Sequence, residues 1–462
     1  MYRMGLGVFI FLACLANIVW IHHNAAPPRM WDDASYLGES AALYQTLRQE
    51  GLSAFLAECG RPSRGGHPPA LKVLPLFFYM ALQPGTRPAL YAYTLLIPVF
   101  CIYLFLLTRT LLGHEKPALL AVVITGLFPI TYGLWRNYMS EFGLTVALTA
   151  SLYHLIKSEG FRVAKHALLF GLWAGVGLLF KVLFILFMAG PLGYVLVRGW
   201  RAGPSSEGAR RRRHLLLPLL ATALVAGPFY FKSGPAVLRL AMLTAHDGEF
   251  ARRWGMGPAH SPRTVVRYWV RTINFGLSVY FAALLAFLLL LGLRRRRPSL
   301  SRPAGLFLGA WFLFPFLVGT FAVVKDYRHM LPIYPVLGIW TAARLAGSLG
   351  PLPKRRQWLI LAFLSVYPVY QFLASSFDTP WAPRRDLRLG PFCIAIKDLE
   401  MASLLGGHAD AAHLHVPGQP GAVAHRPVSR SDGPACAGRV AAGPAPRGRV
   451  STPLPHPARA MV

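Results

Sequence analysis

The sequence predicts an all-α polytopic membrane protein, and three features carry that expectation. The composition is 54% hydrophobic and 13% aromatic with only 14% charged residues, where soluble domains carry roughly 25% charged residues. Apolar stretches long enough to cross roughly 30 Å of hydrocarbon as helices recur to residue 374. The basic residues fall in short runs between these stretches, the pattern of cytoplasmic loops. The net charge of +30 therefore reads as membrane topology, and no nucleic-acid partner is expected.

The predicted spans are 6–21, 89–108, 117–134, 142–156, 167–180, 182–197, 215–231, 273–291, 305–323, 330–346 and 358–374. The first lacks a clear small-residue cleavage site and is expected to remain as a helix. The stretch 70–82 is apolar but short, contains Pro75 and follows His67-Pro68-Pro69, so it reads as re-entrant or interfacial. Excluding it places Arg109 and Lys116, then Lys157, Arg162 and Lys165, then Arg198, Arg201 and the run 210–213, then 294–297 and 354–356, on one side. The positive-inside rule makes that side cytoplasmic. The opposite, extracytoplasmic face then collects the first loop 24–88 with Asp32 and Asp33, Glu141, Lys181, a second loop 233–272, and 325–329.

Within the first loop, Leu37, Ala41, Tyr44 and Leu47 share one helical face before Gly51 interrupts. That spacing predicts a helix lying on the bilayer surface. The transmembrane domain is expected over 1–374, an extracytoplasmic extension over 375–407, and a low-complexity tail over 408–462. The tail has no Phe, Tyr, Trp, Ile, Lys, Asn or Glu, cannot bury a core and is expected to be disordered. Of the five cysteines, Cys14 and Cys101 lie in apolar segments, while Cys59, Cys393 and Cys436 lie outside them. Their spacing indicates neither a metal site nor a disulfide pairing.

Several polar residues admit both a chemical and a structural reading. Asp32 and Asp33 are either a working carboxylate pair or the N-terminal cap of a helix starting near Ala34. Arg328 has the planar fork that suits phosphate, and equally the position of an interfacial anchor. Lys181 is a second phosphate ligand or a snorkelling lysine. Glu141 opens a helix, where the dipole favours an acid, and His67 precedes Pro-Pro, as in an extended turn. The loop residues His246, Asp247, Glu249, Arg252, Arg253 and His260 could meet an acceptor, although a solvated loop is their default reading.

In this order and on one membrane face, the motifs resemble integral-membrane glycosyltransferases of the GT-C type. The likeness is to the protein-mannosyltransferase and aminoarabinose-transferase group, with its bacterial RgtA/B/C/D-like members, from about Trp31 to about Ala374. Its landmarks are Asp32-Asp33-Ala34-Ser35-Tyr36, His67-Pro68-Pro69-Ala70-Leu71, Phe128-Pro129 with Arg136 and Glu141, Leu179-Phe180-Lys181, and the stretch from Tyr327 through Arg328 and His329 to Pro335. Phe180, Val182 and His329 stand where the family has Thr, Gly and Tyr.

The resemblance implies a GT-C-like bundle of about 11 transmembrane helices whose extracytoplasmic first loop carries the interfacial helix. It implies transfer of a sugar from a polyprenyl-phosphate donor to an extracytoplasmic acceptor: a cell-envelope glycan, lipid or protein. Asp32 would be the general base. Asp33 would orient it or share a divalent cation, Mg or Mn, with it. Arg328 and Lys181 would hold the phosphate, and Glu141, His67 and His329 would complete the substrate site. An O-antigen ligase or polymerase would share the architecture without needing the early acidic pair. A transporter would be expected to show repeat halves, and no convincing internal repeat is seen in the sequence. The excess of Arg over Lys suggests a GC-rich bacterial genome, hence the inner membrane.

Overall fold

A computed structural model describes residues 1–24, 31–61, 67–200, 206–246, 261–295, 300–377 and 379–397. The tail 408–462 and the loop residues Asp247, Glu249, Arg252, Arg253 and His260 lie outside the described residues. Every predicted span falls on a helix or a bent helix pair. Among the described residues, five helices are long and apolar enough to cross a membrane, or up to seven if two bent pairs are each counted as one span. The chain is an integral membrane protein.

Helix α1 (Tyr2–Asn24) leads to the first loop. There α2 (Trp31–Gln49) and α3 (Gly51–Cys59) are separated at Gly51, whose φ of +85° suits glycine. Leu37 and Tyr44 are buried on the expected face of α2. Helix α2 already includes Asp32 and Asp33 in its first turn, so they do not cap a helix beginning at Ala34. The stretch 70–82 forms two short helices, α4 (Ala70–Val73) and α5 (Leu76–Leu82), interrupted before Pro75.

Helices α6 (Thr86–Thr94) and α7 (Leu96–Leu112) together make one span. Helix α8 (Glu115–Gly126) turns by 69° into α9 (Pro129–Trp135). The hinge is Phe128, held extended because the proline ring disfavours helical backbone in the residue before it. Helix α10 (Ser140–Lys157) is buried along almost its whole length. It carries Thr145, Thr149 and Ser151 there because each of these hydroxyls finds a carbonyl one turn back. Thr145 donates to Glu141 (2.7 Å), Thr149 to Thr145 (2.7 Å) and Ser151 to Ala147 (2.8 Å).

Helix α11 (Ala164–Phe180) packs on α13 (Ser206–His246) through Gly171 and Gly175. A methyl group at Gly171 would come within 2.4 Å of the Pro218 carbonyl oxygen, so glycine sets the close approach. Helix α12 (Phe184–Trp200) lies between them in the chain.

Two segments depart from a plain loop and a straight span. The predicted loop 233–272 is helical at both ends: α13 continues to His246, and α14 (Pro262–Arg271) begins sixteen residues later. Ser233 donates to the Gly60 carbonyl at 3.0 Å, a tertiary contact that fixes α13 beyond the predicted span. The predicted span 273–291 is broken. A π-helical turn (Thr272–Leu277) ends at Ser278, with φ of +69°, and the chain bends by 96° into α15 (Val279–Arg295).

Helix α16 (Arg302–Phe321) leads to a 3₁₀ segment (Tyr327–Ile333) that runs directly into α17 (Tyr334–Leu349), and α18 (Lys354–Ser376) follows. A two-stranded antiparallel hairpin, β1 (Leu387–Leu389) and β2 (Phe392–Ala395), adds a small β element to the helices among the described residues.

Candidate active site

Helix starts and breaks bring the polar residues together. The first turn of α2 supplies Asp32, the first turn of α10 supplies Glu141, the end of α11 supplies Lys181, and the 3₁₀ segment supplies Arg328 and His329. Arg328 Nη2 donates to Asp32 Oδ2 at 2.6 Å across 296 residues of sequence. Its Nε lies 2.7 Å from Asp326 Oδ2 and 3.9 Å from Glu141 Oε1. Asp326 also caps the 3₁₀ segment, accepting the Arg328 N–H at 3.0 Å. One guanidinium therefore faces three carboxylates.

Glu141, buried to 4% exposure, is the second hub. Lys181 Nζ donates to its Oε1 at 2.7 Å, and His329 Nε2 lies 3.4 Å from the same oxygen. Lys181 reaches it because α11 stops there: its backbone is extended, and its N–H closes the helix on the Gly177 carbonyl.

His67 stands on the α2 side, with Nδ1 3.2 Å from the Tyr36 hydroxyl. Its carbonyl accepts from Lys72 Nζ at 3.2 Å, and Lys72 pairs with Glu39 at 2.5 Å. Burial, reinforced by the Lys181 ammonium, pushes both His67 and His329 down to about 4. Both imidazoles are thus neutral at neutral pH. Burial, then the charges of Glu141 and Asp32, hold the Tyr36 phenol above its usual range. Asp33 is buried, and its Oδ1 accepts the Ala34 N–H at 2.8 Å.

The residues do not fit a divalent cation held by Asp32 and Asp33. The Asp32 carboxylate is engaged by Arg328 and an Asp33 oxygen by backbone. Among the described residues no three His, Cys, Asp or Glu side chains are grouped to hold a metal ion.

Asp326, Tyr36 and the Lys72–Glu39 pair were not singled out from sequence as site residues. Asp326 had a signal, an acidic residue two positions before the arginine, where its side chain can cap the turn. Arg136, which the motif sets near Glu141, has its guanidinium 5.2 Å from the Trp20 and Phe372 rings and 5.4 Å from Tyr132. The predicted acceptor residue His246 is the last residue of α13.

Residues 66–231 match the family described as dolichyl-phosphate-mannose-protein mannosyltransferase. The fold is similar to ArnT from Cupriavidus metallidurans bound to undecaprenyl phosphate, at 16% identity and a TM-score of 0.56, covering 81% of this chain and 66% of that one. The apo state of ArnT gives 16% identity and a TM-score of 0.56, covering 83% and 67%. The chain has the GT-C glycosyltransferase fold.

This chain spans about two thirds of the length of ArnT. An oligosaccharyltransferase from Archaeoglobus fulgidus in the apo form is also similar, at 12% identity and a TM-score of 0.44, covering 79% of this chain and 55% of that one. None of the curated protein sequences compared matches the chain. The matched stretch 66–231 includes His67, Glu141 and Lys181, while Asp32 and Arg328 lie on either side of it.

Proposed function

We propose that this protein transfers a sugar from a polyprenyl-phosphate donor to an acceptor on the extracytoplasmic face of a bacterial inner membrane. The observation that carries this reading is the meeting of Asp32, Arg328, Glu141 and Lys181 through contacts of 2.6–3.9 Å. Transfer with a phosphate leaving group needs a base for the incoming nucleophile and cations for the departing charge.

Asp32 takes the proton from the acceptor hydroxyl or amine as that atom attacks the sugar's C1. The bond from C1 to the phosphate oxygen breaks, and the electron pair leaves with the polyprenyl phosphate. Arg328 and Lys181 receive the departing charge, with Arg328 offering paired N–H donors. Asp33 supports the orientation of Asp32. Glu141 holds Lys181 in place, and the neutral His67 and His329 contact the substrate.

In the free protein Arg328 is occupied by Asp32 and Asp326. The donor phosphate takes one of these places, and where it displaces Asp32 it frees that carboxylate to accept the proton. The ArnT structure with undecaprenyl phosphate supports a polyprenyl-phosphate partner, and the basic runs between spans support the orientation.

Purified protein in proteoliposomes, given a panel of radiolabelled polyprenyl-phosphate sugars and membrane acceptors, is expected to transfer or slowly hydrolyse at least one of them. Use of nucleotide sugars alone, with every polyprenyl-phosphate sugar left intact, would overturn the reading.

A further inference from the structure

The hairpin β1–β2 lies within 375–407, the stretch expected as an extracytoplasmic extension, and folds back alongside α18. Gln371 brackets Ile396, donating from Nε2 to its carbonyl at 2.7 Å and accepting its N–H at 2.9 Å. The Tyr367 hydroxyl donates to the Ile394 carbonyl. Gln371 and Tyr367 lie five and nine residues before the helix end at Ser376, so the hairpin descends about 7–13 Å along the helix at 1.5 Å per residue. On its other side Asn274 clamps it, donating to the Pro391 carbonyl at 2.8 Å and accepting the Cys393 N–H at 3.2 Å.

The two faces of the hairpin are unlike. Cys393 and Ile396 are buried with Phe275, against Tyr327. Leu389, 71% exposed, pairs with Phe392, and with Ile394 they form an apolar outer face. Trp381, 60% exposed, lines a groove of about 400 Å³ with Ser365, Val366, Val369, Tyr370 and Leu373 of α18, the helix that holds the hairpin. The same helix exposes Leu359 and Phe363 further along, the side chains expected to meet lipid in a membrane span. The exposed Arg384, Arg385 and Arg388 stand around the hairpin.

We propose that this hairpin face is a membrane-docking surface seated in the outer bilayer interface, with Trp381 at headgroup level and the arginines on anionic headgroups. Three observations favour lipid as the occupant: the depth along α18, the continuity with that helix's lipid-facing side, and the Trp/Tyr-plus-arginine rim typical of a membrane interface. The inference is independent of the reaction.

The test places spin labels at Leu389→Cys, Ile394→Cys and Arg388→Cys in the full chain, reconstituted in nanodiscs of phosphatidylcholine and phosphatidylglycerol. Wild-type protein treated in parallel supplies the background from native thiols. Labels at 389 and 394 are expected to collide more with oxygen than with a water-soluble nickel chelate, and the label at 388 the reverse. Nickel access at all three positions would overturn the proposal. So would shielding of 389 and 394 from both reagents with dipolar coupling between chains, which would make the face a seat for a second copy.

Discussion

Replacing Glu141 with glutamine removes the charge at the more buried hub of the site while keeping its shape. At an effective dielectric constant of about 20, charges 2.7 Å apart attract by about 6 kcal/mol and charges 3.9 Å apart by about 4 kcal/mol, the separations from Glu141 to Lys181 and Arg328. Desolvation of a nearly buried carboxylate opposes both, and breaking one partner of such a pair costs about 3 kcal/mol where the other remains partly solvated. Lys181 is 16% exposed and belongs to that case. Glu141→Gln and Lys181→Met are therefore each expected to destabilise by about 3 kcal/mol. The double variant should fall short of the sum by about 2 kcal/mol. The assay is unfolding by sodium dodecyl sulfate from mixed micelles, read by far-ultraviolet circular dichroism. Additive losses within about 0.5 kcal/mol, or a neutral Glu141→Gln, would refute the pairing as an energetic unit.

Three further outcomes are expected. A methyl group at Gly143 would sit 2.2 Å from the Phe180 ring, so Gly143→Ala should cost about 1–3 kcal/mol and slow turnover by shifting the adjacent Lys181. Adding Phe180→Ala should recover both in the same unfolding and transfer assays, and a neutral Gly143→Ala would contradict the packing. His67 and His329, near 4 in the fold against about 6.5 when unfolded, make the unfolded chain bind more protons between those values. Stability should thus fall as pH drops through that window, and the double His→Gln variant should flatten the slope of unfolding against pH; an unchanged slope would contradict it. Asp326→Asn keeps the cap on the Arg328 N–H but removes the charge 2.7 Å from its Nε. The donor KM should fall several-fold, and a rise would show that Asp326 positions Arg328 more than it competes with phosphate.

The helices were legible in the sequence because apolar length alone demands them: a run near twenty residues leaves a membrane protein little else to form. The bend at Phe128 also had a local cause, the following proline. The 96° break at Ser278 did not, since nothing in Thr272–Leu277 marks a π-helical turn. The helical ends of loop 233–272 had no sequence signal, because Lys232, Ser233, Gly234 and Pro235 look like the end of a span. The Ser233–Gly60 bond that holds the helix beyond them spans 173 residues and has no local signature. At the site, residue types were visible but partners were not. Lys181 and Glu141 are forty positions apart, and only the break of α11 and the start of α10 bring them into contact. Asp326 was hidden because one acid among Lys325, Arg328 and His329 reads as part of a polar loop.

The central claim is that Asp32 takes a proton during sugar transfer while Arg328 and Lys181 hold the donor phosphate. Single-turnover transfer from a polyprenyl-phosphate sugar, comparing wild type with Asp32→Asn at saturating donor, tests it most directly. A loss of at least about 100-fold in rate with donor binding retained is predicted, since removing a general base costs about 10²–10⁴. Near wild-type turnover by the Asp32→Asn variant would contradict it.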